Sequence, residues 1–68
     1  MDIYYVNTKS QDNGDHEIHK LSCSFMPLPE HRLFVGYFNN CHEALKEAKK
    51  TYPTADGCRF CCQECNTK

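Results

Sequence analysis

Between Gly57 and Asn66 the chain reads Gly-Cys-Arg-Phe-Cys-Cys-Gln-Glu-Cys-Asn, which places four of its six cysteines in ten residues. They fall into two Cys-x2-Cys pairs, and far upstream His19 and Cys23 stand four residues apart. At 68 residues the chain predicts a single domain spanning 1–68. A core of that size supplies only about 3–5 kcal/mol, so small scaffolds are usually stapled by a metal, by disulfides or by a partner chain. The thiols are the staple.

Which staple depends on the compartment. The first residues, Met1-Asp2-Ile3-Tyr4-Tyr5-Val6, carry neither a basic segment nor a long apolar run. No stretch is apolar enough to predict membrane insertion or export, so a cytoplasmic location is expected. A reducing pool disfavours structural disulfides and leaves thiols free for metal.

Tetrahedral zinc takes four Cys or His ligands, usually delivered as two close pairs from separate parts of the chain. His19-x3-Cys23 is one such pair, at the point where a strand leaves its sheet. The other must come from the C-terminal run. Cys58 with Cys61 is preferred because Cys58 follows Gly57, where a turn enters a helix and free amides can donate to thiolates. Cys61 with Cys65 remains open. The expected site is therefore His19, Cys23, Cys58 and Cys61, holding one Zn2+ per chain. Cys41 and the two surplus thiols, Cys62 and Cys65, are expected to pack as small hydrophobes. His16, His31 and His42 read as surface residues.

Ile3 to Asn7 alternates and favours a strand, Asp12-Asn13-Gly14-Asp15 signals a turn, and Glu17 to Leu21 is the returning strand. Pro27 and Pro29 mark a loop. Arg32 to Phe38 is an apolar, aromatic third strand with Gly36 suited to a bulge. Asn40 then caps a helix, with Glu43 three residues on. Cys41, Ala44, Leu45, Ala48 and Tyr52 share one stripe, and Pro53 stops the helix near Thr51 or Tyr52. Asp56-Gly57 reads as a turn. Because Cys58, Cys61, Cys62 and Cys65 recur at offsets of three, four and seven, they predict a closing helix.

Other cysteine chemistries fit less well. Three disulfides would force adjacent Cys61 and Cys62 toward different partners in an oxidising compartment. Iron–sulfur clusters favour evenly spaced cysteines, a rhythm that Cys61-Cys62 breaks. A thioredoxin-like pair needs a βαβ context this chain is too short to build. His42 follows Cys41 directly, and adjacent helical residues diverge by roughly 100°, which argues against a nucleophile–base pair.

Tyr5-Val6-Asn7-Thr8, Asn13-Gly14-Asp15-His16-Glu17-Ile18-His19, Cys23, Pro27, Gly36-Tyr37-Phe38, Cys41-His42-Glu43-Ala44 and Gly57-Cys58-x2-Cys61-Cys62-x-Glu64-Cys65 together resemble a group of short uncharacterised bacterial proteins across nearly the whole chain. More distantly, the order His-x3-Cys, β segment, Glu-Ala helix and Cys-x2-Cys is similar to the zinc-binding domain of Ada-type DNA-repair proteins. That resemblance implies His19, Cys23, Cys58 and Cys61 as zinc ligands, one of them a candidate methyl acceptor. This chain departs from the family in placing His where a Cys would stand, in its extra Cys62 and Cys65, and in lacking basic character.

The expected fold is α+β: a small three-stranded antiparallel sheet, one amphipathic helix and a Cys-rich C-terminal helix, stapled by metal. The expected function is a structural zinc-binding mini-domain serving as a protein-interaction module. An Ada-like alkyl acceptor and a thiol-rich metal buffer are the alternatives.

Eight Lys plus Arg against nine Asp plus Glu give a net charge of −1, and three thiolates on one zinc would deepen it. Duplex binding arises from basic residues displacing counterions, and the lysines at 46, 49 and 50 share their helix with Glu43 and Glu47. A fluorescence-anisotropy titration with random duplex DNA at ~150 mM salt, where the screening length is about 8 Å, should stay flat into tens of micromolar protein. A saturable rise at low micromolar protein would overturn the electrostatic reading.

Overall fold

The computed structural model describes residues 1–67. Four strands and one helix follow one another as β1 (Asp2–Asn7), β2 (His16–Lys20), β3 (Arg32–Phe38), α1 (Cys41–Ala48) and β4 (Ala55–Gly57). Single 3-10 turns lie at Pro29–His31 and Gln63–Cys65. The strands form one sheet in the order β3-β1-β2-β4, with β1 antiparallel to β2 and β3, and β4 parallel to β2. The architecture is a small α+β fold on a four-stranded mixed sheet.

A three-stranded antiparallel sheet is therefore corrected by one strand. Ala55-Asp56-Gly57 contains no β-branched or aromatic residue and resembles a turn in isolation. What makes it a strand is the open edge of β2, which pairs His16 with Ala55, Glu17 with Asp56 and Ile18 with Gly57. The ladder runs on through Cys58, whose N–H donates to the Ile18 carbonyl at 3.1 Å.

Strand parity sorts the sheet into two faces. Tyr4, Val6 and Ile18 are buried on the face covered by α1, together with Cys41, Ala44 and Ala48 from the helix. The expected stripe on α1 is the buried one, with Leu45 and Tyr52 packed at its margin. Asn40 caps it by accepting the Glu43 N–H at 3.0 Å, and Glu43 Oε1 accepts the Asn39 N–H. The helix ends at Ala48, before Thr51, because the following amides turn to tighter partners: Lys50 N donates to Glu47 O and Thr51 N to Ala48 O. Pairing between β1 and β3 slips between Tyr4 and Tyr5, opposite Gly36 and Phe34. Val35 is thus the extra residue of a bulge, and Gly36 follows it at a φ of 149° that other residues rarely adopt.

The closing helix is not formed. Residues 58–62 make one turn, with Cys62 N donating to Cys58 O, and a 3-10 turn follows at Gln63–Cys65. The offsets of three, four and seven describe which thiols face inward, but the backbone is held by other bonds. Asn66 Nδ2 donates to Gly57 O at 2.8 Å, and Thr67 donates from both N and Oγ1 to buried Asp56. These contacts fold the tail back over β4, which a continuing helix could not do.

Cys41 and Cys65 are joined by a disulfide, so they are not the free apolar side chains expected of them. The bond closes a loop of 24 residues and ties the start of α1 to the tail. Its loss from the oxidised protein should cost about 3 kcal/mol by loop-closure entropy, well above the ~1 kcal/mol of a small packing defect. Urea unfolding of Cys41→Ala/Cys65→Ala checks this. A loss below about 1 kcal/mol would mean that the bond contributes little to the fold.

Gly57 allows the closure. A Cβ there would sit 2.7 Å from Cys62 O and 2.8 Å from both the Cys65 carbonyl carbon and Cβ. Backbone atoms cannot yield as a flexible side chain would. Gly57→Ala should destabilise by roughly 1–3 kcal/mol, whereas Ala at Gly14, with nothing within 4 Å but a φ of 89°, should cost less. Equal denaturation midpoints for Gly57→Ala and the parent would contradict the close approach.

Candidate metal centre

Helix α1 covers one face of the sheet, and His19 projects from β2 onto the other. It is nevertheless only 2% exposed. Two loops cover it: the one leaving β2 through Cys23, and the one leaving β4 through Cys58 and Cys61. One ligand atom from each of His19, Cys23, Cys58 and Cys61 lies within 4.8 Å of every other. These four side chains, predicted as ligands from spacing, are thus brought together by the parallel pairing of β2 with β4. Cys62 is buried in the hydrophobic core, and Cys65 is consumed by the disulfide. Cys58 with Cys61 is the C-terminal pair placed beside His19.

The sulfurs sit among backbone amides. Cys23 Sγ accepts the Phe25 N–H and Cys58 Sγ accepts the Phe60 N–H, both at 3.4 Å. Cys61 Sγ accepts the Lys20 N–H at 3.3 Å, so the end of β2 donates directly into the site. Amide donors of this kind stabilise sulfur as thiolate. Cys23 Sγ and Cys58 Sγ are 3.9 Å apart. Two sulfurs on a tetrahedral ion at about 2.3 Å would be about 3.8 Å apart.

His19 supplies the sharpest clue. Its Nδ1 is buried and makes no hydrogen bond among the described residues, a state that ordinarily costs about 1–3 kcal/mol. Its Nε2 stands 3.7 Å from Glu17 Oε1. Burial pushes the imidazole pKa below its usual value, with Glu17 acting weakly against that shift. The ring is therefore neutral near pH 7. Burial also raises the Cys61 thiol, opposed by the Lys20 amide and reinforced by the neighbouring thiols Cys23 and Cys62. The buried Cys62 thiol is raised for the same primary reason. The pocket disfavours charge until a cation enters it, at which point a divalent ion would reverse the balance for its thiolate ligands.

Two features escape a spacing argument. The segments Cys23-Ser24-Phe25 and Cys58-Arg59-Phe60 are equivalent Cys-x-Phe units, each with its thiol accepting the phenylalanine amide. Their rings stack at a centroid distance of 4.3 Å and join the two loops from outside, although both are more than half exposed. The repeated Cys-x-Phe was the available signal. Glu17 is the other feature. On β2 it shares a face with His19, two residues away, and only the folded geometry shows its carboxylate facing the imidazole.

His16 lies outside the site, its Nδ1 2.9 Å from Asn7 O and its ring stacked on Tyr52. A second group of donors, Cys41, His42 and Cys65, gathers at the start of α1. Among the described residues no helix is long and apolar enough to cross a membrane. Comparison with known families, curated proteins and solved structures finds no match to this chain.

Removing one ring of the external stack should loosen the loops without touching a ligand. Phe60→Ala should cost about 1 kcal/mol beyond its small loss of buried area, read as a lower denaturation midpoint. An unchanged midpoint would show that the stack is incidental.

Proposed function

We propose that this protein is a structural zinc-binding mini-domain in which His19, Cys23, Cys58 and Cys61 hold one Zn2+. The observation that carries the proposal is His19, which has an orphaned buried Nδ1 and a ring nitrogen within 4.8 Å of three thiol sulfurs whose own amide contacts favour thiolates. Three sulfurs and one imidazole nitrogen are a common structural zinc set, and borderline-soft zinc suits them better than hard cations do. A metal on Nδ1 leaves Nε2 protonated and facing Glu17, as outer carboxylates commonly orient ligating histidines. With four protein ligands the coordination is complete, which favours a structural role over a catalytic one.

The proposed role is to pin two loops over the sheet face that α1 leaves uncovered. On the rest of that face Tyr5, Phe34 and Tyr37 form an edge-to-face aromatic row, with Phe34 and Tyr37 at least half exposed. Such a row on a rigid, stapled sheet supports a protein-interaction module.

Metal removal tests the reading. Structural zinc contributes about 10–16 kcal/mol of apparent binding energy, more than a core of this size provides. Chelation should therefore collapse the amide chemical-shift dispersion, and re-addition of zinc should restore it. Cys23→Ser and Cys58→Ser should each abolish stoichiometric zinc, while Cys62→Ala should retain it. A well-dispersed spectrum in protein shown to be metal-free would contradict the proposal.

His19→Leu separates ligation from packing. With zinc present, stoichiometric binding and amide dispersion should both be lost, because a ligand has gone. Full zinc stoichiometry in His19→Leu would assign His19 a packing role instead.

A further inference from the structure

Cys41, His42 and Cys65 form a separate cluster at the start of α1, with donor atoms all within 4.8 Å of one another. The two sulfurs are bonded to each other, and a disulfide is a poor metal ligand. His42 does not share in that bond, yet its Nδ1 lies 3.5 Å from Cys65 Sγ. Its Nε2 stands 3.7 Å from Glu64 Oε2. As Glu17 faces His19 Nε2, so Glu64 faces His42 Nε2, and in His42 the other nitrogen is at a sulfur.

We propose that Cys41, His42 and Cys65 constitute a second metal site, closed by the disulfide and opened by thiol reduction, which takes a borderline-soft divalent cation such as zinc. A dithiol reductant supplies two electrons and two protons, becoming a disulfide itself while Cys41 and Cys65 become thiols. The incoming cation then displaces both thiol protons to solvent. The sulfurs must part to about 3.8 Å to share a tetrahedral ion. Cys65 sits in a single 3-10 turn, so its side chain rather than an α-helical backbone makes the adjustment. Cys41, at the first position of α1, is the fixed partner.

This site differs from the first in exposure and completeness. His42 is largely exposed, whereas His19 is buried. Among the described residues three donors converge, so a fourth position is left to the nearby Glu64, water or an external ligand. The exposed side chains of His42 and Glu64 leave that position open to solvent. An accessible three-donor site exchanges metal more readily than a closed four-donor one. The cation held here would be exchangeable and redox-dependent, while the one at His19 would be permanent.

The test is zinc stoichiometry by native mass spectrometry on the full chain, before and after reduction with a water-soluble phosphine. The phosphine becomes its oxide, with water supplying the oxygen and both protons, and thiol alkylation counts the two new thiols. The expected result is one additional zinc on reduction, whatever the starting number. A rise from one to two supports both sites. A rise from none to one that persists in Cys58→Ser but vanishes in Cys65→Ser supports this site and overturns the His19 site. His42→Ala, a change at an exposed side chain, should weaken the additional zinc by at least about tenfold and leave the disulfide intact when oxidised. Two new thiols with no added zinc would overturn the proposal. So would a chain isolated under air with Cys41 and Cys65 already free.

Discussion

A four-stranded sheet with one short helix can be covered by that helix on one face only, and His19 stands on the other. Its burial depends on what the two loops do. The parallel pairing of β4 with β2 brings Cys58 to the Ile18 carbonyl and Cys61 to the Lys20 amide. Cys23, three residues beyond β2, arrives from the same strand. The donor cluster is thus a consequence of one strand pairing. Ala55-Asp56-Gly57 has little intrinsic tendency to form that strand, so the cluster and the pairing support each other. A cation shared by both loops would make that support cooperative, because neither loop could leave without stripping the ion of ligands.

Two cross-links then divide the C-terminal segment. A cation at the His19 cluster would hold its first half against β2, and the disulfide holds its second half against α1. Cys62 lies between them in the core, its Sγ 3.7 Å from Cys61 Sγ. Gly57 permits the arrangement by letting the returning chain cross at backbone contact distance. The two links respond to different conditions. Reduction would open the disulfide and leave the His19 donors in place, and chelation would strip a cation from those donors and leave the disulfide closed.

Much of this was legible from local signals. Arg32–Phe38 is apolar and aromatic, and it forms β3 with those limits. Asn40 and Glu43 mark the start of α1 because capping depends on neighbours in sequence. His19, Cys23, Cys58 and Cys61 could be named together because metal-ligand spacing is also local. What was hidden depended on distant partners. β4 exists through the edge of β2, and the Cys41–Cys65 pairing spans a separation that no spacing rule marks. The supposed closing helix shows the limit of periodicity. Inward-facing thiols at helical offsets also arise from consecutive turns when sulfur and side-chain hydrogen bonds hold the backbone.

The ligand shell itself is the most direct measurement. X-ray absorption at the zinc edge, on protein carrying one zinc and an intact Cys41–Cys65 bond, reads donor type and distance without relying on stability. Three sulfurs at about 2.3 Å and one imidazole nitrogen at about 2.0 Å are expected, with that nitrogen lost in His19→Leu. Four sulfurs, or a shell dominated by oxygen, would contradict the assignment of His19, Cys23, Cys58 and Cys61 as the metal site.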